Sequence, residues 1–189
     1  MSRLLFITHP EVIVDRSIPI ERWRLSDRGA ARMAAFAESQ AVVEVASIWS
    51  STETKAMEAA GILAAGLRLN VQVKHELHEN DRSATGFLPP EEFEATANWF
   101  FAEPHKSVRG WERAIDAQRR IRAAVDSILA GRGNGDVAIV AHGGVGTLLL
   151  CDMRGLAISR AHDQPYQGHY WVLDLATRAV ERGWTALPG

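Results

Sequence analysis

Short unbroken apolar runs in this chain alternate with longer stretches whose apolar residues recur at helical spacing. Leu4-Leu5-Phe6-Ile7 is too short for a helix and apolar enough for a strand covered on both faces. The run stops at Thr8-His9-Pro10, because proline has no N–H to give to a continuing ladder. Val137-Ala138-Ile139-Val140-Ala141 repeats the arrangement and leads into His142-Gly143-Gly144. Between these two runs the pattern predicts a helix from near Asp27 to near Ser39, capped by Ser26. A strand over Val42–Trp49 ends at Ser50-Ser51, and a helix over Glu53–Leu67 is capped by Ser51 or Thr52. Leu69–Val73 alternates apolar with polar and reads as a third strand nearer an edge. After an irregular, charged stretch over His75–Pro90, helices are predicted over Glu91–Ala102 and Gly110–Leu129. The second of these carries Ala114, Ile121, Ala124, Val125 and Ile128 at helical spacing. The His142 strand is followed by a helix from Gly144 to about Met153, a linker through Pro165, and strands over His169–Asp174 and Val180–Leu187.

Strands alternating with helices predict an α/β fold, a three-layer α/β/α sandwich around a mostly parallel sheet. With 189 residues and no internal repeat or composition break, positions 1–189 read as one domain. A hydrophobic share of 47% with 23% charged residues is ordinary for a globular protein. The net charge of -2 lacks the basic footprint of a nucleic-acid partner. No stretch approaches a membrane span, and the first apolar run breaks too early for a signal peptide. Cys151 is the only cysteine, so no internal disulfide forms and a reducing, cytoplasmic location is expected.

Candidate chemistry sits at the strand ends. Two buried strands each finish in a histidine, at the carboxyl rim where open α/β sheets hold ligands. Lys55 falls in the first turn of the helix that follows Ser50-Ser51. A cation near a helix amino end is disfavoured by the dipole unless an anion lies between. Glu76, Glu79 and Asp81 follow the third strand and offer carboxylates to the same rim. Two rival motifs fail. In His75-Glu76-Leu77-His78-Glu79 the second histidine comes one residue too early for a zinc helix. Gly144-Val145-Gly146 lacks the third glycine and the acidic partner of a dinucleotide site. Trp99 and Trp111 bracket Phe100, Phe101, Pro104 and His105, a cluster that fits either a pocket lid or a satellite apolar cluster.

These segments together resemble the histidine phosphatase (phosphoglycerate-mutase-like) superfamily over nearly the whole chain. Thr8-His9-Pro10-Glu11 stands where that family has Arg-His-Gly-Glu/Gln, and Asp15 stands where it has Asn. Leu25-Ser26-Asp27-Arg28-Gly29 matches its Leu-Thr/Ser-x-x-Gly. Ser50-Ser51-Thr52-Glu53-Thr54-Lys55-Ala56 matches its Ser-Ser-x-x-x-Arg-Ala. Leu77-His78-Glu79 matches its Leu-x-Glu, and Ala141-His142-Gly143-Gly144 its second histidine segment. Trp111-Glu112-Arg113 and Arg120 resemble its Gly-Glu-Ser and later arginine.

The resemblance implies a phosphatase that uses no cofactor and no metal and acts on a small phosphomonoester. His9 would attack phosphorus to give a phosphohistidine, splitting one hard displacement into two. His142, Thr8, Ser51, Lys55 and Gly143 would surround the phosphoryl oxygens. Glu79 would protonate the leaving oxygen and then take a proton from water, with Glu76 and Asp81 as competing acids. Glu11 and Asp15 would orient the loop. The family's two arginine forks are Thr8 and Lys55 here, and losing one such donor removes roughly 3 kcal/mol of transition-state stabilisation. Arg16 or Arg82 would have to compensate. The alternative reading, favoured by Thr8, Pro10 and Lys55, is a non-catalytic relative that binds phosphate or another anion. The expected partner is a small phosphorylated molecule or inorganic phosphate, with no nucleic acid or membrane partner and the oligomeric state left open.

Overall fold

β1 (Arg3–Thr8) and β4 (Asp136–Ala141) lie parallel and side by side at the centre of a six-stranded sheet. The computed structural model describes residues 2–189. Outside β4 come β2 (Val45–Ser50) and then β3 (Val71–Val73), both parallel to it. Outside β1 come β5 (His169–Asp174), antiparallel to β1, and β6 (Val180–Ala186), antiparallel to β5. The sheet order is thus β3-β2-β4-β1-β5-β6, and β3 holds the edge that its alternating sequence predicts.

The central strands are apolar throughout because both of their faces are covered. Successive β1 side chains go to opposite sides. Leu4 and Phe6 meet α4 (Ala114–Ala130), α5 (Gly143–Met153) and the end of α3 (Pro90–Ala102). Leu5 and Ile7 meet α1 (Asp27–Ala37) and α2 (Thr54–Leu67). All four side chains are completely buried, each contributing about 1.5–3 kcal/mol of apolar transfer energy. Ser26 caps α1 as expected, its hydroxyl accepting from the Gly29 N–H. Gly29 packs so tightly on the loop after His9 that a Cβ there would sit 2.3 Å from the Glu11 carbonyl oxygen.

Three expectations need correction. The predicted strand over Val42–Trp49 begins only at Val45, because Gln40–Val42 closes into a single 3-10 turn. The helix predicted from Gly110 begins at Ala114, since Arg109 and Gly110 both have positive φ and break the approach. The α2 N-cap is Glu53, whose side chain makes no capping bond; Ser51 instead accepts the Glu53 N–H. The Trp99–Trp111 cluster is mostly interior. Phe100, Phe101 and Trp111 belong to the apolar core beside α4 and α5, Pro104 is half-buried, and Trp99 and His105 face solvent. None of the helices among the described residues is long and apolar enough to cross a membrane.

Candidate active site

Parallel pairing puts Thr8 opposite Ala141, so the residues that follow each strand share one rim. His9 stays attached there through its N–H to the Ala141 carbonyl, and Ser51 through its N–H to the Val140 carbonyl. The His9 and His142 rings lie 5.4 Å apart between centroids and meet edge to face at 66°. His9 Nδ1 is 2.9 Å from the Pro10 carbonyl oxygen. A carbonyl only accepts, so Nδ1 carries the proton and Nε2 keeps its lone pair. Burial and the neighbouring Lys55 push His9 down to about 4. Its imidazole is therefore neutral at pH 7, the form a nucleophile requires.

His142 is fully buried and pushed down to about 3, chiefly by desolvation. Its Nε2 lies 2.8 Å from Ser51 Oγ and 3.3 Å from Glu53 Oε1. Its Nδ1 is buried with no hydrogen-bond partner.

Lys55 reaches the site as expected, lining with His9 a cavity of about 330 Å³ whose walls include Val12, Ile20, Trp23 and Phe87. Its charge is not free. Lys55 Nζ donates to Glu53 Oε2 at 2.5 Å and to the Ile20 carbonyl at 2.9 Å, and both side chains are nearly inaccessible. Glu53 is thus the anion that a cation so near a helix amino end requires. Burial raises the Glu53 carboxyl, but the Lys55 ammonium and the Glu79 N–H outweigh that cost and hold it below the usual carboxylate range. Sequence reasoning passed over Glu53, although its place two residues before Lys55 was the available signal.

Glu79 sits against the start of α5. Its Oε2 accepts from the Gly144 N–H and its Oε1 from the Val145 and Asn80 N–H groups, each at 3.0 Å. A Cβ on Gly144 would stand 2.7 Å from Glu79 Oε1, so glycine makes room for this carboxylate. The loop is held by Arg120, which donates to the Glu76, His78 and Glu79 carbonyls while pairing with Glu112. Glu76 is exposed, and Asp81 turns back onto Ser83. Of the three carboxylates, only Glu79 is anchored at the α5 amino end.

Thr8 and the supporting residues occupy places that the sequence did not foretell. The fully buried Thr8 hydroxyl accepts the His169 N–H at 3.0 Å and donates to Gln164 Oε1 at 2.7 Å. It is spent within the protein, so Thr8 is a strut between β1 and the loop before β5. Gln164, which no motif marks, brings its Nε2 over Gly143, 2.4 Å from where a Cβ would stand. Glu11 accepts from buried Arg32, and Asp15 accepts from the Ser17 N–H and hydroxyl. Arg16 is exposed and lies over the Phe87 ring at 4.6 Å, lining with Glu53, Glu79 and Arg82 a cavity of about 690 Å³ but not the one that holds His9. Arg82 also lines the His9 cavity, its guanidinium 5.2 Å from the Phe93 ring centroid and 5.7 Å from that of Trp111. No carboxylate among the described residues pairs with it by a direct ion pair. Arg82 is thus the cation that faces His9 in the absence of an arginine at position 8.

A family model described as the histidine phosphatase superfamily (branch 1) matches residues 19–176. The chain belongs to the histidine phosphatase superfamily. Its fold matches mycobacterial glucosyl-3-phosphoglycerate phosphatase bound to inorganic phosphate, with a TM-score of 0.78 at 21% identity over 100% of this chain and 98% of that one. Bacillus stearothermophilus YhfR gives 0.77 at 22% identity, covering 98% and 95%. Phosphoserine phosphatase from Entamoeba histolytica, in complex with 3-phosphoglyceric acid, gives 0.76 at 14% identity, covering 100% and 98%. Comparison with curated protein sequences gives no match.

Proposed function

We propose that this histidine phosphatase relative hydrolyses a small phosphomonoester through a phosphohistidine on His9. The observation that carries the reading is the convergence of two neutral imidazoles at one rim, with His9 Nε2 left as a lone pair by the Nδ1–H bond to Pro10. His9 Nε2 attacks phosphorus in line, the P–N bond forms as the P–O bond breaks, and the leaving oxygen takes a proton from Glu79. Glu79 Oε2 accepts a single amide bond, which leaves a lone pair for that proton. Water activated by Glu79 then attacks the phosphohistidine, releasing phosphate and restoring the imidazole. Arg82, the Ser51 hydroxyl and the Gly143 amide meet the charge on the equatorial oxygens. The apolar walls beside His9 seat the leaving alcohol.

The Glu53–Lys55 pair favours a second reading, an anion-binding module without turnover, because it balances the charge that Lys55 would bring. Incubation with a generic aryl phosphate, with His9→Ala as control, separates the two. Turnover and an acid-labile phosphoenzyme in the parent, both lost in His9→Ala, support the phosphatase. Equal background from both proteins, with phosphate still bound, supports the module.

A further inference from the structure

The proposed reaction needs donors around a dianion, yet His142 is neutral and its pocket has lost the family's arginine forks. The question is which nitrogen of His142 carries its proton. Ser51 Oγ already accepts the Glu53 N–H at 3.2 Å and lies 2.8 Å from His142 Nε2. Glu53 Oε1 is 3.3 Å from the same nitrogen and also accepts the Glu79 N–H at 2.9 Å. A lone pair on Nε2 would therefore face a carboxylate oxygen, whereas an Nε2–H satisfies both neighbours. With Nε2–H donating, both lone pairs of Ser51 Oγ are filled and its own O–H is left to point at a ligand. The remaining nitrogen, Nδ1, is the buried atom without a partner, and such an atom costs about 1–3 kcal/mol while it stays unmet.

We propose that Glu53 is a positioning residue that locks His142 in the Nε2–H tautomer, so that its empty Nδ1 takes up a proton when a phosphoryl dianion arrives. This rests on the anion-site reading above and deepens it. His142 then becomes a donor at both nitrogens, an imidazolium between the Glu53 carboxylate and the bound anion. It replaces with a borrowed proton the fixed charge missing from position 8. The ionisable groups facing His142 are Glu53, Glu79, His9 and Lys55. Glu53 favours the added proton, and Glu79 does so whenever its carboxyl is ionised. Lys55 opposes it but is paired with Glu53, and His9 opposes it only if it too is protonated. Glu53 also aligns the Glu79 amide, so one carboxylate fixes the proton acceptor and the loop of the proposed acid together.

The test uses nitrogen-15 NMR of His142 and vanadate titration, on the parent chain, Glu53→Met, which removes the acceptor that Glu53→Gln would keep, and a charge-balanced Glu53→Met/Lys55→Met variant that guards against simple misfolding. In the free parent, His142 should show protonated Nε2 and bare Nδ1, and both variants should shift toward the other tautomer. Vanadate binding to the parent, measured calorimetrically in buffers of different ionisation enthalpy, should take up about one proton. An opposite charge at this range moves a titration by about one unit or more, so affinity at pH 7 should fall about tenfold in the variants, with the proton uptake reduced. An unchanged tautomer, or unchanged proton uptake in both variants, overturns the role of Glu53. A tautomer that shifts as expected in a protein with no phosphatase turnover keeps the role and rejects the enzyme.

Discussion

Replacing Lys55 by methionine should destabilise the fold far more than the loss of a surface lysine, and the structure gives the size. Lys55 and Glu53 are 3% and 6% exposed, and their 2.5 Å contact is the closest charge compensation that Glu53 has. Lys55→Met leaves a buried carboxylate with only the Glu79 N–H and the neutral His142 nearby. Breaking such a pair from one side costs about 3–5 kcal/mol, a large share of the 5–15 kcal/mol available to a typical domain. Removing both charges in Glu53→Gln/Lys55→Met should recover most of that loss, because replacing a whole buried pair by neutral groups of similar volume is often near neutral. Urea unfolding at pH 7, followed by tryptophan fluorescence and far-UV circular dichroism, measures both variants and their coupling. A Lys55→Met cost below about 1 kcal/mol, the range of an exposed pair, would refute the reasoning, as would a double variant no better than the single one.

Other outcomes follow from the same geometry. Gly144→Ala drives a methyl into Glu79; it should cut turnover at least tenfold while stability changes by less than about 1.5 kcal/mol, since solvent lies near and the loop can give. Thr8→Val removes the acceptor of the His169 N–H and the donor to Gln164; about 1–3 kcal/mol of stability should disappear in a denaturant titration. His9 and His142 are pushed down to about 4 and about 3 from an ordinary 6.5. The unfolded chain therefore binds more protons below about pH 6.5, and stability should fall as pH drops from 6.5 toward 4 and be flat from 7 to 8 in these groups. Thermal unfolding across that range checks the sign, and replacing His9 by glutamine should flatten part of the slope.

The fold was legible because it is written in burial. Leu4–Ile7 and Val137–Ala141 are strands covered on both faces, and a run of four or five apolar residues ending at proline or glycine has few other uses. The two imidazoles were legible for the same reason, since a parallel pair with Thr8 opposite Ala141 must deliver what comes next to one rim. Side-chain directions were not. Whether Thr8 faces a ligand or a neighbouring loop depends on Gln164 and His169, which are more than 150 positions away in the chain. Arg16 and Arg82 look alike as compensating cations in the sequence, and packing separates them: Arg16 stacks on Phe87 and lines the Glu79 cavity, while Arg82 lies near Phe93 and Trp111 and lines the His9 cavity as well. Glu53 was within reach of argument. Lys55 in the first turn of α2 needs an anion, and the nearest candidate, Glu53, reads in the sequence only as the first residue of that helix.

Arg32 ties the loop after His9 to a distant part of the chain. Its guanidinium, 4% exposed, donates to Glu11 just past His9, to the Gln167 and Gly168 carbonyls, and to Leu187 and Pro188 at the other end of the polypeptide. One cation therefore fastens the tail to the turn that presents the imidazole. A substitution that displaces the Leu187 or Pro188 carbonyl reaches the loop after His9, however remote it looks along the sequence.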